Sequence, residues 1–360
     1  MMASGSRFAD ERPIFIVGPS RSGTSLIMRI LRRQPNVYVA GETHYFGDLR
    51  TRTRGRWDTP LSKADRAACE DYFLAIADKG YDRHGDPRNS PLDRAALRER
   101  ADEIGVGADA YFVAFCKLRA EAYDSARWGE KTPRHVYAID EMLEAFPGAQ
   151  VLCMVRDPRG VISSYRDMAR PTANVHVARG RAPRSAHVRK RRSYDLIVAS
   201  LLWRSTVNKA TAAVHRHGDA RVRLLRYEDL VGDPVAAVSR LTAWLGVDFD
   251  EQMLDVDVEN STYTHPGTVS GLMSRSVDRW RDRMSDEELA AVEALCRPVM
   301  AQFGYAPVTT RPARLFLLRN LLTLPYTSVR ATLANRNRTG SLLPYVWERV
   351  RAIARVPTRL

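Results

Sequence analysis

The sequence predicts an α/β fold, a three-layer sandwich with helices on both faces of a central parallel sheet. Two observations carry that expectation. A short apolar run, then a turn, then an amphipathic stretch occurs three times along the chain, and strands that alternate with helices pair in parallel through right-handed crossovers. The runs are apolar at successive positions rather than at every second one, which suits strands covered on both faces.

In chain order, "PIFIVG" ends at Gly18 and reads as the first strand. Residues 24–33 follow as a helix with Leu26, Ile27, Ile30 and Leu31 on one stripe. Residues 61–125 are mostly helical in pattern, interrupted by the charged, turn-rich "DKGYDRHGDPRNSPLD", and are expected to form a helical insertion over the functional edge of the sheet. "AQVLCMVRDPRGVISSYRDM" predicts a strand ending near Arg156, with Asp157 as cap and Pro158 as the first residue of the next helix. Residues 166–192 lack periodicity and form a basic loop, after which "SYDLIVASLLWRSTVNKA" is a helix expected to line the site. "RVRLLRYEDLVGDPVAAVSRLTAWLG" gives a strand ending near Arg226 and a helix from about Pro234 that stops before Gly246. Residues 12–306 therefore make one domain, and beyond Pro307 the composition shifts to Arg and Leu, setting off a basic amphipathic C-terminal segment, 307–360.

The 360-residue chain has the composition of a globular protein and a net charge of +14 that is unevenly spread. Residues 166–192 hold nine Lys/Arg against one Asp, and residues 311–360 hold ten Arg against one Glu. Together these exceed the net charge of the whole chain, so the basicity belongs to two local surfaces. That weighs against a nucleic-acid-binding protein, which stays as the alternative from another class: few aromatics are interleaved with the charge and no binding module is recognisable. Four widely spaced cysteines without a CxxC pair suggest reduced thiols in a cytoplasmic protein. The first twelve residues contain no apolar run, which argues against a secretory signal. The longest apolar stretch, "LFLLRNLLTLPY", is broken by Arg319 and Pro325 and falls short of the ~20 residues a spanning helix needs. A soluble or peripheral protein is expected.

"GPSRSGTSL", Gly18 to Leu26, has the make-up of a phosphate cradle between strand and helix. Gly18 and Gly23 allow the tight turn, and Ser22, Thr24 and Ser25 offer hydroxyl donors. A nucleoside-triphosphate loop carries lysine where this one has Thr24, and no strong second carboxylate motif for magnesium accompanies it. The grip on phosphate is kept without a kinase's equipment, although an ATP-dependent small-molecule or nucleotide kinase with an atypical loop remains an alternative.

The stretch resembles the 5'-phosphosulfate loop of sulfotransferases that use 3'-phosphoadenosine-5'-phosphosulfate (PAPS), in particular the bacterial and tyrosylprotein-type branch with arginine in that loop, here Arg21. The resemblance covers about residues 12–305 and is patchy between motifs. It implies a P-loop-type α/β fold, PAPS as donor, 3',5'-ADP as product and no metal. "VRDPRGVISSY" is similar to the family's second grip, for the 3'-phosphate, which carries over onto Arg156 and Ser164; alone, Arg156 would equally suit a strand-end salt bridge. Tyr227 in "LRYEDL" matches a tyrosine packed near the adenine. Arg279, before Trp280, matches more loosely a basic residue close to the nucleotide, with a buried tryptophan beside a surface arginine as the alternative.

Sulfuryl transfer builds charge on the departing 5'-phosphate, where cations and backbone donors act most strongly. Arg21 and Lys131, in "GEKTPRH", are the candidates, with a surface pair between Lys131 and Glu130 as the competing reading. In tyrosylprotein-type relatives a glutamate in a similar "GE-T" turn is the general base, which maps onto Glu42 in "VAGETHYF". His44 is the runner-up, because histidine titrates near neutral pH. The implied partners are PAPS and a small-molecule, glycan or lipid acceptor, with no specific nucleic acid. Through 311–360, peripheral contact with an anionic membrane competes with a helix packed on the core with its arginines exposed.

Overall fold

Five parallel strands form the sheet of this computed structural model, which describes residues 8–53, 55, 57–79, 92–169, 194–256, 277–310 and 312–339. The strands are β1 (Ile14–Val17), β2 (Val37–Ala40), β3 (Arg127–Lys131), β4 (Gln150–Val155) and β5 (Val222–Arg226), in the spatial order β2-β3-β1-β4-β5. Every neighbouring pair is parallel; Ile16, for example, lies opposite Lys131 on one side and Leu152 on the other. The chain runs from β1 outward to β2, returns to β3 beside β1 and then crosses to β4. In such open sheets ligands bind outside the carboxyl ends of the strands, where the winding reverses.

Successive β1 residues explain why one strand needs two helical layers. Phe15 and Val17 enter one core and Ile14 and Ile16 the other, because side chains alternate across a strand. The first core is aromatic: Phe15 stacks on Phe112 and meets the edge of Trp128. Its helices include α3 (Lys63–Lys79), α4 (Arg94–Ile104), α5 (Ala108–Glu121) and α6 (Ile139–Ala145), the short α2 (Leu49–Arg52) preceding them; α1 (Thr24–Leu31) faces the second core. The predicted insertion thus includes α5, whose Tyr111, Phe112 and Phe115 belong to the main core. Its charged interruption lies largely outside the described residues.

Helices α7 (Pro158–Ala169), α8 (Leu196–His217), α9 (Tyr227–Gly232) and α10 (Pro234–Leu245) follow, then α11 (Asp286–Met300) and α12 (Arg314–Thr339). Helix α10 completes the second core through Val238, Leu241 and Leu245. Gly246 sits just past it with φ of 71°, the left-handed stop expected of that glycine. A third core gathers α7, α8 and α11 around Trp203, Val161, Ile162, Trp280 and Cys296. Beneath it, Arg159 is held by Asp157 and by Glu293, itself 1% exposed. Glu293 also accepts the backbone N–H groups of Val308 and Thr309, at 2.9 and 3.2 Å. The C-terminal segment is therefore tied to the domain at its first residues, and α12 continues through Pro325. The predicted basic loop lies outside the described residues beyond Ala169, as do residues 340–360.

Candidate active site

All five strands end at one edge, and each sequence-predicted group but Arg279 lies within ten residues of a strand end. Gly18 follows β1, Glu42 stands two residues past β2, Lys131 closes β3, Arg156 follows β4 and Tyr227 follows β5. Lys131 is the last residue of a strand inside the sheet, 4% exposed.

The loop after β1 has a conformation that only its glycines make accessible. Gly18 has φ of 130°, and a Cβ there would lie 2.3 Å from the Met154 carbonyl oxygen; Gly23 has φ of 89°, and its Cβ would lie 2.6 Å from the Tyr227 ring. Arg21 is also left-handed, at φ of 75°, a conformation that costs a non-glycine residue about 1 kcal/mol or more. No side chain caps α1, so its first N–H groups face the loop. Ser22 is fully buried, and its Oγ has no hydrogen-bond partner among the described residues. Thr24 is buried and Ser25 exposed. A cradle at a helix start without a side-chain cap, with no room for a Cβ and an orphaned hydroxyl, fits an anion.

The two predicted anion grips, read from sequence as separate, adjoin. Arg21 Nε donates to Ser164 Oγ at 3.0 Å, and Arg156 Nη1 donates to the Arg21 carbonyl at 3.1 Å. The Arg156 guanidinium lies 4.2 Å from the centroid of the Tyr227 ring, a cation–π contact, so Tyr227 is wedged between Arg156 and Gly23. Trp203 Nε1 fixes the Arg156 carbonyl at 2.9 Å. Glu228 bridges the Asp157 N–H, at 3.0 Å, and the Tyr305 hydroxyl, at 2.8 Å. Arg279 is partly buried, at the start of the described stretch 277–310; its neighbour Trp280 is 2% exposed, between the guanidinium groups of Arg159 and Arg281.

At the ends of β2 and β3, Lys131 Nζ donates to Glu42 Oε1 at 2.7 Å, and His44 Nε2 lies 3.5 Å from Glu42 Oε2. The lysine side chain is 5% exposed and the glutamate 23%, so the carboxylate opens toward solvent while the ammonium is enclosed. The competing surface pair of Lys131 with Glu130 is not formed: Glu130 points into the opposite layer and is fully buried. Burial holds the His44 imidazole below its usual 6.5, aided by Arg134 and opposed by Glu42, which favours its neutral form at pH 7.

Sequence reasoning missed Glu130 as a functional residue. Its Oε1 accepts the Thr43 N–H at 3.0 Å and the Thr43 hydroxyl at 2.9 Å, and also the Thr132 hydroxyl; its Oε2 meets His135 Nδ1 at 3.1 Å. Burial alone would push this carboxyl up, but His135, Thr132 and the Thr43 backbone outweigh it and hold it below its ordinary 4.5. Tyr72 of α3 donates to the Thr43 carbonyl at 2.7 Å, and Thr132 Oγ1 accepts the His44 N–H at 3.2 Å. The Glu42–His44 turn is thereby clamped from below. The signal was present in "GEKTPRH", where Glu130, Thr132 and His135 fall within six residues beside the buried Trp128. Among the described residues, no group of three or more His, Cys, Asp or Glu is placed to hold a metal ion.

Comparison with known proteins points the same way. The chain is 28% identical over 167 residues to carbohydrate sulfotransferase 1 of Homo sapiens, a match covering 43% of this chain and 38% of that protein. It is 23% identical over 306 residues to nodulation protein NoeE of Sinorhizobium fredii, covering 81% of this chain and 65% of that protein. The matches thus span less than two thirds of either relative. The sulfotransferase domain from the Synechococcus PCC 7002 olefin synthase shares the fold, with a TM-score of 0.52 at 20% identity over 82% of this chain and 96% of that one. Neither the kinase nor the nucleic-acid-binding alternative finds support in these likenesses. The model of the Sulfotransferase family matches residues 13–251, more than half of the sequence, and this chain belongs to that family.

Proposed function

We propose that this protein moves a sulfuryl group from PAPS to a hydroxyl, or less readily an amine, of a small-molecule, glycan or lipid acceptor, releasing 3',5'-ADP without a metal. The observation that carries the reading is the junction of the two anion grips, Arg21 to Ser164 and Arg156 to the Arg21 carbonyl, above a loop with a buried, unpaired Ser22 hydroxyl. A nucleotide phosphorylated at both the 3' and 5' positions matches two adjoining grips. A triphosphate would call for the missing lysine and magnesium ligands.

PAPS would supply an activated sulfuryl group on its 5'-phosphate. The 5' end falls to Ser22, Thr24, Ser25, Gly23 and the first N–H groups of α1, and the 3'-phosphate to Arg156 and Ser164, with Tyr227 supporting Arg156 and Arg279 near the nucleotide. Glu42 takes the acceptor's proton as the acceptor oxygen bonds to sulfur and the bond from sulfur to the 5'-phosphate oxygen breaks. The electron pair leaves on that phosphate, where Arg21 and Lys131 offset the growing charge. His44, held neutral 3.5 Å from Glu42, supports a second reading in which it is the base.

Thermal-shift measurements with 3',5'-ADP, 5'-AMP and Mg-ATP test the donor. Stabilisation by 3',5'-ADP alone, lost in Arg156→Ala, is expected, and stronger stabilisation by Mg-ATP would overturn the reading.

A further inference from the structure

We propose that the outward face of α12 seats this protein on an anionic lipid bilayer, with the helix lying in the headgroup region. The proposal does not rest on the sulfuryl-transfer reading. Seven large apolar side chains of α12, Leu315, Leu318, Leu321, Leu322, Tyr326, Val329 and Leu333, are each between 51% and 79% exposed. Elsewhere among the described residues only Val106, Tyr137, Val235 and Val308 are large, apolar and comparably open. Six of the seven, at 315, 318, 322, 326, 329 and 333, recur every three or four residues and so fall on one stripe of a helix with about 3.6 residues per turn.

The stripe faces outward because the other side of the helix is taken. Phe316 and Leu317 pack on the third core behind the buried Ala313, and Thr327 Oγ1 donates to Asp195 Oδ2 at 2.8 Å. These contacts fix the rotation of α12 and leave its apolar stripe in water, where contiguous exposed apolar side chains mark a surface for a partner or a membrane.

Charge selects the occupant. From residue 294 to residue 347 the sequence has no Asp or Glu, and Arg314 and Arg319 stand exposed on α12. The bond to Asp195 places the helix beside the start of α8, where the chain returns from residues 170–193, a stretch with eight Lys/Arg and no acid. Among the described residues, α12 and the start of α8 thus meet through Thr327 and Asp195. A second copy of α12, or residues 340–360 with four Arg and one Glu, would bring like charge against like charge, whereas an anionic headgroup layer complements it. No described helix is long and apolar enough to cross a membrane, in keeping with a surface posture.

Vesicle flotation of the full chain tests this, using phosphatidylcholine vesicles with and without about one third phosphatidylglycerol. The anionic vesicles are expected to bind at least about tenfold more protein, less so in about 0.5 M salt. The triple variant Leu318→Ser, Leu322→Ser, Val329→Ser should lose binding while keeping its thermal midpoint and its response to 3',5'-ADP, since it removes only exposed side chains. Equal binding to both vesicle types, or undiminished binding by the triple variant, would overturn the proposal. So would a dimer of the wild type in light scattering that the triple variant dissolves, or a cross-link between α12 and residues 340–360 that persists with anionic vesicles.

Discussion

The loop after β1 and the turn after β2 end strands of the same sheet and point to the same edge, yet they are built from different material. Between Gly18 and Gly23 the chain relies on backbone. Two positive-φ glycines pack against the Met154 carbonyl and the Tyr227 ring, and the donors are N–H groups and short hydroxyls. From Glu42 to His44 it relies on side chains, with Glu130 and Tyr72 bonded to Thr43 and Lys131 bonded to Glu42. The first region should tolerate almost no added volume. The second should tolerate volume and depend on individual polar atoms. Geometry set by backbone is suited to an unvarying phosphate, and geometry set by side chains can place a proton acceptor.

The largest expected effect lies on the side-chain region. Glu42→Gln should lower turnover by about 10²–10⁴-fold while calorimetry finds 3',5'-ADP affinity nearly unchanged; equal loss of both would erase the contrast between the regions. Gly23→Ala should do the reverse. A methyl group 2.6 Å from the Tyr227 ring, at φ of 89°, is expected to weaken 3',5'-ADP binding by at least about tenfold and to destabilise the fold by about 1–3 kcal/mol. Adding Tyr227→Leu should relieve the contact but not the backbone strain, so thermal melts should recover only in part.

The smallest effect sharpens the comparison most. Glu130 touches none of the predicted nucleotide residues, and Glu130→Gln should slow turnover by about tenfold with nucleotide affinity retained, because the turn beneath Glu42 loosens. Its carboxyl is held below 4.5 in the folded protein, so the charged form stabilises the fold above that pH and its contribution disappears as pH falls through the folded value. The gap in thermal midpoint between wild type and Glu130→Gln should therefore be widest near neutrality and close in acid.

Much of this architecture was legible in the chain. "PIFIVG", the strand before Arg156 and the helix from Pro234 to Leu245 all appear where apolar runs, a proline start and a glycine stop placed them. The tight glycine loop after β1 was legible because its constraint is local, with two positive-φ glycines flanking hydroxyls. The surroundings of Lys131 were not. "WGEK" shows no apolar run, and it is a buried strand because it pairs with β1 and β2 while Glu130 finds Thr43 from 87 residues earlier in the chain, partners that no window along the sequence reveals. The contact between Arg21 and Ser164 was hidden for the same reason, with 143 residues between two side chains now 3.0 Å apart. Helix α9 went unread because six residues, "YEDLVG", are too few to show a period.

Glu293 has a consequence for anyone shortening this chain. Cutting before Val308 would strip two amide partners from an enclosed carboxylate, and cutting two residues earlier, before Ala306, would also take from Arg159 the carbonyl to which it donates at 2.9 Å. The damage would then run through Arg159 to Asp157, the residue beside Arg156. A trimmed version should keep its polypeptide through at least Thr309, since the last stretch of the domain works as a latch on the strand end that carries Arg156.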